Sequence, residues 1–308
     1  MKKILLPTDF SFNSKNAISY AMNFYKEDLC EFTLLHAFTG NGNEQPSNFF
    51  TRVENASSIK KKENSEKKLN MLLQEIKMRY PNSKHSFRKV ARNLPLLSVI
   101  KKEVENSPYD LIVIGTQGIT NLKDVAFGAN TRHILENITS CPIMAIPSHV
   151  KFSQIKEIVL ATGFKTHPRQ QEYTFIKDLI NRTKAVLRIL YIEDNRGLKT
   201  FQIKNKEILY KIFEGVPVTF HSLAHVSVPV GIYCFTESRS SDLITFINKK
   251  HSFFENVLFN PLYKNLGNYS KIPILIIQTG QKNNIQSPGF DLNVRKKSSR
   301  SSNRLISE

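Results

Sequence analysis

The sequence predicts an α/β protein made of two tandem domains, each a doubly wound parallel sheet of five strands. Short, continuously apolar segments alternate with segments of helical spacing, which is typical of parallel strands covered by helices on both faces. The second half repeats the order of these segments in the first half. The chain has 308 residues, which is enough for two domains of ordinary size.

The first half alternates strand and helix from its beginning. Asn13 or Ser14 is expected to cap a first helix that runs to Lys26. A second helix, rich in lysine, is expected to end near Tyr80 and to turn its charges to solvent. Two shorter helices are predicted at 94–104 and 130–137. The strands are predicted at 3–7, 32–37, 85–90, 110–115 and 142–147.

Four segments of the second half match segments of the first half in the same order. This repeat predicts domains at 1–148 and 154–280, followed by a basic, Ser-rich tail at 281–308 that is expected to be disordered. The matched segments are 156–164 with 2–10, 187–191 with 33–36, 242–244 with 110–112, and 272–277 with 141–146.

The composition is that of a soluble globular protein, with 40% hydrophobic and 23% charged residues. No apolar run approaches the roughly 20 residues that span a bilayer, so we expect a cytoplasmic protein. The net charge of +18 favours anionic ligands, but no basic segment carries the interleaved aromatic residues of an RNA-binding sheet, and nucleic acid is not an expected partner. Cys30, Cys141 and Cys234 lack disulfide or zinc spacing and are expected to be buried thiols.

A glycine pattern follows the fourth predicted strand. Two residues separate Gly115 from Gly118, and nine residues separate Gly118 from Gly128, which stands at the start of a predicted helix. Glycine allows tight turns and close approach of backbone amides to a ligand. The free amides and the dipole of a helix N-terminus attract phosphate groups, and the Thr131 hydroxyl could add a donor. The pattern therefore predicts a phosphate site.

These residues resemble the universal stress protein family. That family carries Gly-x2-Gly-x9-Gly-(Ser/Thr) between its fourth strand and last helix, and a Pro-Thr-Asp turn after its first strand, which matches 7–9 here. The resemblance covers about 1–280 and is strongest in the first half. It implies an adenine nucleotide alpha hydrolase-like, Rossmann-like fold and binding of ATP, with or without magnesium.

The resemblance also implies roles for individual residues of the first half. Pro7, Thr8 and Asp9 would lie near the nucleoside, and Ala37 would contact adenine through its backbone. The phosphates would be surrounded by Gly115, Gly118, Gly128, Ala129, Asn130 and Thr131. Ala129 stands where the family has Ser or Thr, which removes a hydroxyl donor to the phosphates. A hydrogen bond to a charged group contributes about 1.5–3 kcal/mol, so we expect weakened binding.

The second half departs further from the family pattern. Gly163 stands at the position that corresponds to Asp9, and the segments at 248–255 and 260–263, which correspond to the glycine pattern, contain no glycine. Phe253 and Phe254 are expected to occupy space near the corresponding pocket. We therefore expect no nucleotide there, and a role in pairing with the first half through the fifth strands, as the family resemblance implies. A homodimer of the whole chain is a further alternative.

Three functional hypotheses are open at this point. The first is a nucleotide-binding stress or signalling module without robust catalysis, the second a docking scaffold that binds no nucleotide, and the third a slow ATPase at the same site. The chain contains no Gly-x4-Gly-Lys-(Ser/Thr), no HExxH and no Gly-x-Ser-x-Gly. His36 ends a buried strand and is interpreted as a core residue rather than a base.

Overall fold

A computed structural model describes residues 1–39, 56–116, 127–193, 197–248 and 272–278. Within these residues, ten strands form a single sheet in the order β3-β2-β1-β4-β5-β10-β9-β6-β7-β8. Each half contributes five strands in the same relative order, and all pairs within a half are parallel. The predicted fold class is confirmed.

The first half contains strands β1 to β5 and helices α1 to α4. Their ends lie within a few residues of the predicted ones. The strands are β1 (Lys2–Pro7), β2 (Cys30–Phe38), β3 (His85–Asn93), β4 (Leu111–Gly115) and β5 (Ile143–Ile146). The helices are α1 (Phe12–Phe24), α2 (Ala56–Arg79), α3 (Leu96–Asn106) and α4 (Ala129–Asn137).

The second half contains strands β6 to β10 and helices α5 to α7. The sequence did not predict β8, which has only partly buried or exposed residues and therefore lacks a continuous apolar core segment. The strands are β6 (Glu157–Ala161), β7 (Val186–Ile192), β8 (Val218–Leu223), β9 (Leu243–Asn248) and β10 (Ile274–Gln278). The helices are α5 (Gln170–Thr183), α6 (Thr200–Ile212) and α7 (Val228–Arg239). Phe253, Phe254 and the tail lie outside the described residues.

The two halves meet at their fifth strands. β10 runs antiparallel to β5, with Leu275 opposite Met144. Side chains alternate between the two faces of the joined sheet, as strand geometry requires. Leu275 and Met144 belong to one buried cluster, whereas Ile274 and Ala145 belong to the cluster on the opposite face. Both clusters contain residues from each half, so the core is continuous across the junction.

Contacts outside the sheet also join the halves. The Arg182 guanidinium near the end of α5 donates to the Asp28 carboxylate at 2.7 Å and lies over the Phe24 ring, 4.0 Å from its centroid. In the connecting segment, the Pro147 carbonyl accepts from the Asn16 side chain of α1 at 3.1 Å. Phe152 packs edge-on against Tyr20 of the same helix, with ring centroids 5.3 Å apart. The connection between the halves therefore packs on α1.

Two expectations about individual residues were wrong. The N-cap of α1 is Ser11, whose hydroxyl accepts from the Ser14 amide, rather than Asn13 or Ser14 itself. Cys30 and Cys141 are buried, but Cys234 is exposed on α7.

Among the described helices, none has both the length and the apolar character of a membrane span. The described residues also hold no group of three or more His, Cys, Asp or Glu side chains arranged for a metal ion.

Candidate functional site

A sharp turn follows β1 at the carboxyl edge of the sheet. The Thr8 amide donates to the Leu35 carbonyl at 2.8 Å, which continues the β1–β2 ladder. The Phe10 amide instead donates to the Thr8 hydroxyl at 3.0 Å, and Phe10 has a φ of 65°. A left-handed conformation is uncommon for a bulky residue. The buried Thr8 hydroxyl therefore helps to hold the chain in a turn that leaves the sheet.

Asp9 continues this turn into α1. Its carboxylate accepts from the Ser11 amide at 3.0 Å, and Ser11 then caps the helix. Asp9 is partly exposed, while Thr8 is buried and also hydrogen bonds to the Ser14 hydroxyl at 3.0 Å. One carboxylate oxygen of Asp9 is thus used to shape the turn in front of α1.

The backbone of Ala37, on β2, lies beyond the end of the neighbouring strand β1, because the chain turns away after Pro7. Backbone groups alternate sides along a strand, so Ala37 faces the same side as Leu35, toward β1. Regular pairing would bring the Phe10 amide to the Ala37 carbonyl, but that amide is bonded to Thr8. The N–H and C=O of Ala37 therefore point past Pro7, the last residue of β1.

His36 supports the turn from β2. Its Nδ1 lies 2.7 Å from the Thr8 carbonyl, which can only accept, so Nδ1 carries the proton. The His36 ring packs 4.5 Å from the Phe10 ring, and the Lys68 ammonium lies over Phe10 at 5.6 Å. Burial lowers the pKa of His36, opposed by its bond to the Thr8 carbonyl. This geometry agrees with a structural residue rather than a base.

Gly115 lies where α1 approaches the end of β4. A Cβ at this position would be 3.0 Å from the Asn13 carbonyl oxygen, which is a backbone atom of the first turn of α1. The carbonyl of Gly115 also accepts from the Thr131 hydroxyl at 2.9 Å. These contacts hold the beginning of α1, the end of β4 and the beginning of α4 in one corner.

Two donors expected at the phosphates have protein partners. The Thr131 hydroxyl donates to Gly115, and the Gly128 amide donates to the Thr116 carbonyl at 2.8 Å. These two bonds connect the short helix α4 to the end of β4. Gly118 lies outside the described residues.

The first turn of α4 retains three backbone donors. Gly128 is the N-cap and provides no capping side chain, and the first helical bond runs from the Arg132 amide to the Gly128 carbonyl at 3.0 Å. The amides of Ala129, Asn130 and Thr131 precede that bond and have no intrahelical acceptor. Ala129 and Asn130 are exposed and Thr131 is buried, so the solvent-facing part of this turn, with the positive end of the helix dipole, lies at 129–130.

Comparison with known proteins identifies this arrangement. Residues 1–147 match the model of the Universal stress protein family. Residues 1–147 form a domain of this family. Universal stress protein MJ0577 of Methanocaldococcus jannaschii is 27% identical over 153 residues, which cover 47% of this chain and 94% of that protein.

Solved universal stress proteins share the fold over both halves. A structure from Archaeoglobus fulgidus superposes with a TM-score of 0.65 and 20% identity, covering 90% of this chain and 98% of that one. A putative universal stress protein from Pseudomonas aeruginosa gives a TM-score of 0.56 at 12% identity, covering 90% of this chain and 93% of that one. At these identities the likeness shows the fold alone.

The second half of the chain repeats the turn after its first strand. The Thr162 amide donates to Leu190 at 3.0 Å, the Phe164 amide donates to the Thr162 hydroxyl at 3.2 Å, and Phe164 has a φ of 53°. These three features reproduce those of Thr8 and Phe10. The turn is therefore part of the repeated fold and is not by itself a mark of ligand binding.

Two isoleucines replace the small residues of the first half. Since Leu190 takes the place of Leu35, Ile192 takes the place of Ala37. The Ile192 side chain lies against α7, with its Cδ1 only 2.6 Å from the position of a Cβ at Gly231. By the same strand registers, Ile247 takes the place of Gly115.

The turn in the second half is also tied down by α6. The Gln202 amide group donates to the Gly163 carbonyl and the Asn205 amide group to the Phe164 carbonyl, both at 2.8 Å. Sequence reasoning missed these two buried residues and both isoleucines. Extending the match of 187–191 with 33–36 by one residue aligns Ile192 with Ala37, so the sequence contained this signal. The contacts from α6 have no comparable signal in the sequence.

Proposed function

We propose that the first half binds an adenine nucleotide, ATP in the first instance, at the carboxyl edge between β1 and β4. The observation that carries the proposal is the set of backbone amides in the first turn of α4, where Ala129 and Asn130 are exposed, held in one corner with the start of α1. Backbone amides and a helix dipole stabilise phosphate without a charged side chain. The triphosphate would lie at the first turn of α4.

The adenine would lie at the end of β2. The Ala37 carbonyl can accept from the exocyclic amine of adenine, and its N–H can donate to a ring nitrogen. Pro7, Thr8 and Asp9 would border the nucleoside. If magnesium accompanies the nucleotide, Asp9 is the carboxylate of this turn that would meet the metal–nucleotide complex. Gly118 belongs to the same proposed site.

The side chains at the turn after β1 favour nucleotide binding without robust catalysis, because they are engaged in hydrogen bonds that shape the turn. His36 donates from Nδ1 to the Thr8 carbonyl, and Asp9 accepts from the Ser11 amide. These are the two titratable side chains described at the turn, and both stabilise its conformation. A stress or signalling module that senses nucleotide is therefore favoured over a slow ATPase.

We further propose that the second half binds no nucleotide and serves to pair with the first half. Ile192 and Ile247 add bulk where the first half has Ala37 and Gly115. The antiparallel pairing of β5 with β10 supports the pairing role. Titration calorimetry of the full chain with ATP should therefore give one site per chain. Absence of heat at millimolar ATP would leave the docking scaffold as the function.

Restoring a hydroxyl after Gly128 should strengthen binding. We expect Ala129→Thr to tighten ATP binding by about tenfold or more, because a hydrogen bond to a charged phosphate contributes about 1.5–3 kcal/mol. Ala129 is exposed, so the larger side chain can be accommodated. Ala129→Val has the same shape without the hydroxyl and serves as the control in the same calorimetric titration. Equal affinities for both variants would argue against a phosphate at this position.

The repeated turn offers a matched pair of variants. Thr8→Val and Thr162→Val each remove the hydroxyl that accepts from the amide two residues later. We expect both to lower the free energy of unfolding by about 1–3 kcal/mol, measured by urea denaturation. Only Thr8→Val should also weaken ATP binding. Equal loss of affinity in both variants would contradict a site restricted to the first half.

A further inference from the structure

β8 is an edge strand of the described sheet. Its partner β7 lies on one side, where the Leu187 amide donates to Pro217 and the Glu193 amide donates to Leu223. Because backbone groups alternate along a strand, the N–H and C=O of Val218, Phe220 and Ser222 point to the other side. The described residues place no strand on that side, so it presents a row of donors and acceptors.

The two edges of the sheet differ in charge. The opposite edge strand, β3, contains Arg88, Lys89 and Arg92, whereas β8 contains no Lys, Arg, Asp or Glu. Charged residues on edge strands prevent pairing with other chains. β3 carries such charges, whereas β8 has neither charged residues nor proline, and three of its six residues, Val218, Thr219 and Phe220, are of types that favour strands.

The helix next to β8 exposes apolar side chains. On α6, Phe201, Ile203 and Tyr210 have exposed fractions of 47%, 46% and 62%. The Tyr210 ring stacks on Phe220 of β8, with centroids 5.5 Å apart and planes at 16°. The uncharged edge is therefore continuous with apolar surface, which typical protein–protein contacts bury.

We propose that β8 pairs antiparallel with β8 of a second copy of this chain, forming a two-fold dimer with a continuous sheet. A second copy is the favoured occupant because the residues of β8 itself carry no like charges, whereas β3 would bring three cations against three. The cation described beside Phe220 is the Lys206 ammonium of α6, which lies over its ring 5.4 Å from the centroid. Pairing through one edge is isologous and closes at two copies. The charged β3 edge prevents further growth of the sheet.

The alternation of the backbone also gives the register. Only outward-facing residues can exchange hydrogen bonds with outward-facing residues of the second copy. The register that pairs all three outward-facing residues places Phe220 opposite its own counterpart on the two-fold axis and Val218 opposite Ser222. The Phe220–Tyr210 pairs of both copies fall on the same face of the joined sheet. Each copy therefore contributes the same backbone and apolar groups.

The first test removes one outward donor. Ser222→Pro deletes an N–H that faces away from β7, which an edge strand tolerates, while Ser222→Ala keeps it. We expect sedimentation velocity to show a dimer for the wild-type chain and Ser222→Ala at micromolar concentration. Ser222→Pro should raise the dissociation constant of the dimer at least about tenfold, the effect of about 1.4 kcal/mol. A monomeric wild type, or a dimer that Ser222→Pro leaves unchanged, would overturn the proposal.

The second test reads the register directly and does not depend on the stability of the proline variant. In a Cys234→Ser background, Val218→Cys together with Ser222→Cys places thiols opposite each other, at the Cα separation of about 5.5 Å that a disulfide accepts. Oxidation should give covalent dimers of the double variant and not of Ser222→Cys alone. Covalent dimers from the single variant would show a different register and contradict the model.

Discussion

Gly128→Asp should stabilise the first half while nearly abolishing ATP binding. Gly128 is the N-cap of α4, with φ −64° and ψ 158°, a conformation that aspartate adopts readily. Its carboxylate would accept from an amide of the first turn, and we expect the free energy of unfolding to rise by a few tenths of a kcal/mol, since glycine is itself a tolerated N-cap residue. The same carboxylate would repel the triphosphate, and we expect affinity to fall at least about 100-fold, or about 2.7 kcal/mol.

Gly128→Asn separates the two causes of this loss. Asparagine caps a helix nearly as well as aspartate but carries no charge, so it competes for the amides without repelling the phosphates. We expect its affinity for ATP to lie between those of the wild type and Gly128→Asp. Calorimetry gives the affinities, and thermal denaturation without nucleotide gives the stabilities. A stabilised Gly128→Asp variant that still binds ATP normally would show that the phosphates lie elsewhere.

Gly115→Ala should cause a large loss of stability. The new Cβ would be 3.0 Å from the Asn13 carbonyl oxygen and 3.1 Å from the carbonyl carbon. Both are backbone atoms of α1, so relief requires a shift of the helix rather than of one side chain. Overpacking of this kind costs about 1–3 kcal/mol. We expect that loss in the free energy of unfolding from urea denaturation, together with weaker ATP binding as the turn before α1 moves.

Gly163→Ala is the matched control in the second half. A Cβ there would meet only the flexible Lys165 side chain, at 3.5 Å or more, and Gly163 does not have a positive φ. We expect its free energy of unfolding to stay within about 0.5 kcal/mol of the wild type. If Gly115→Ala were equally mild, the close approach of α1 to β4 would not be a constraint on this fold.

The glycine pattern predicted the local fold, whereas the contacts of its atoms came from the structure. The spacing of Gly115 and Gly128 predicted a strand end and a helix start, and both lie where expected. The pattern did not reveal that the Gly128 amide and the Thr131 hydroxyl bond to protein carbonyls. Those partners depend on how α4 sits on β4, which is a property of three-dimensional packing.

The second half, where the family resemblance is weaker, shows a similar division between what the sequence predicted and what the structure supplied. The sequence alone indicated that Gly163 replaces Asp9 and that the glycine pattern is absent from the corresponding segments of the second half. The replacement of Ala37 by Ile192 became meaningful only once strand registers aligned the two halves. β8 had no signal of its own, because an edge strand with partly exposed residues lacks the apolar run that identifies the central strands.

The sequence by itself determined the alternation of strands and helices, the internal repeat and the position of the glycine pattern, because each is encoded in local periodicity and composition. The family resemblance implied contact between the fifth strands, but the tertiary structure decided that β5 and β10 pair antiparallel within one continuous sheet, with Leu275 opposite Met144. It also decided that the Ala37 backbone extends past β1 and that β8 is an uncharged edge. These features arise from strand pairing and helix packing between residues far apart in the chain, which no local pattern records.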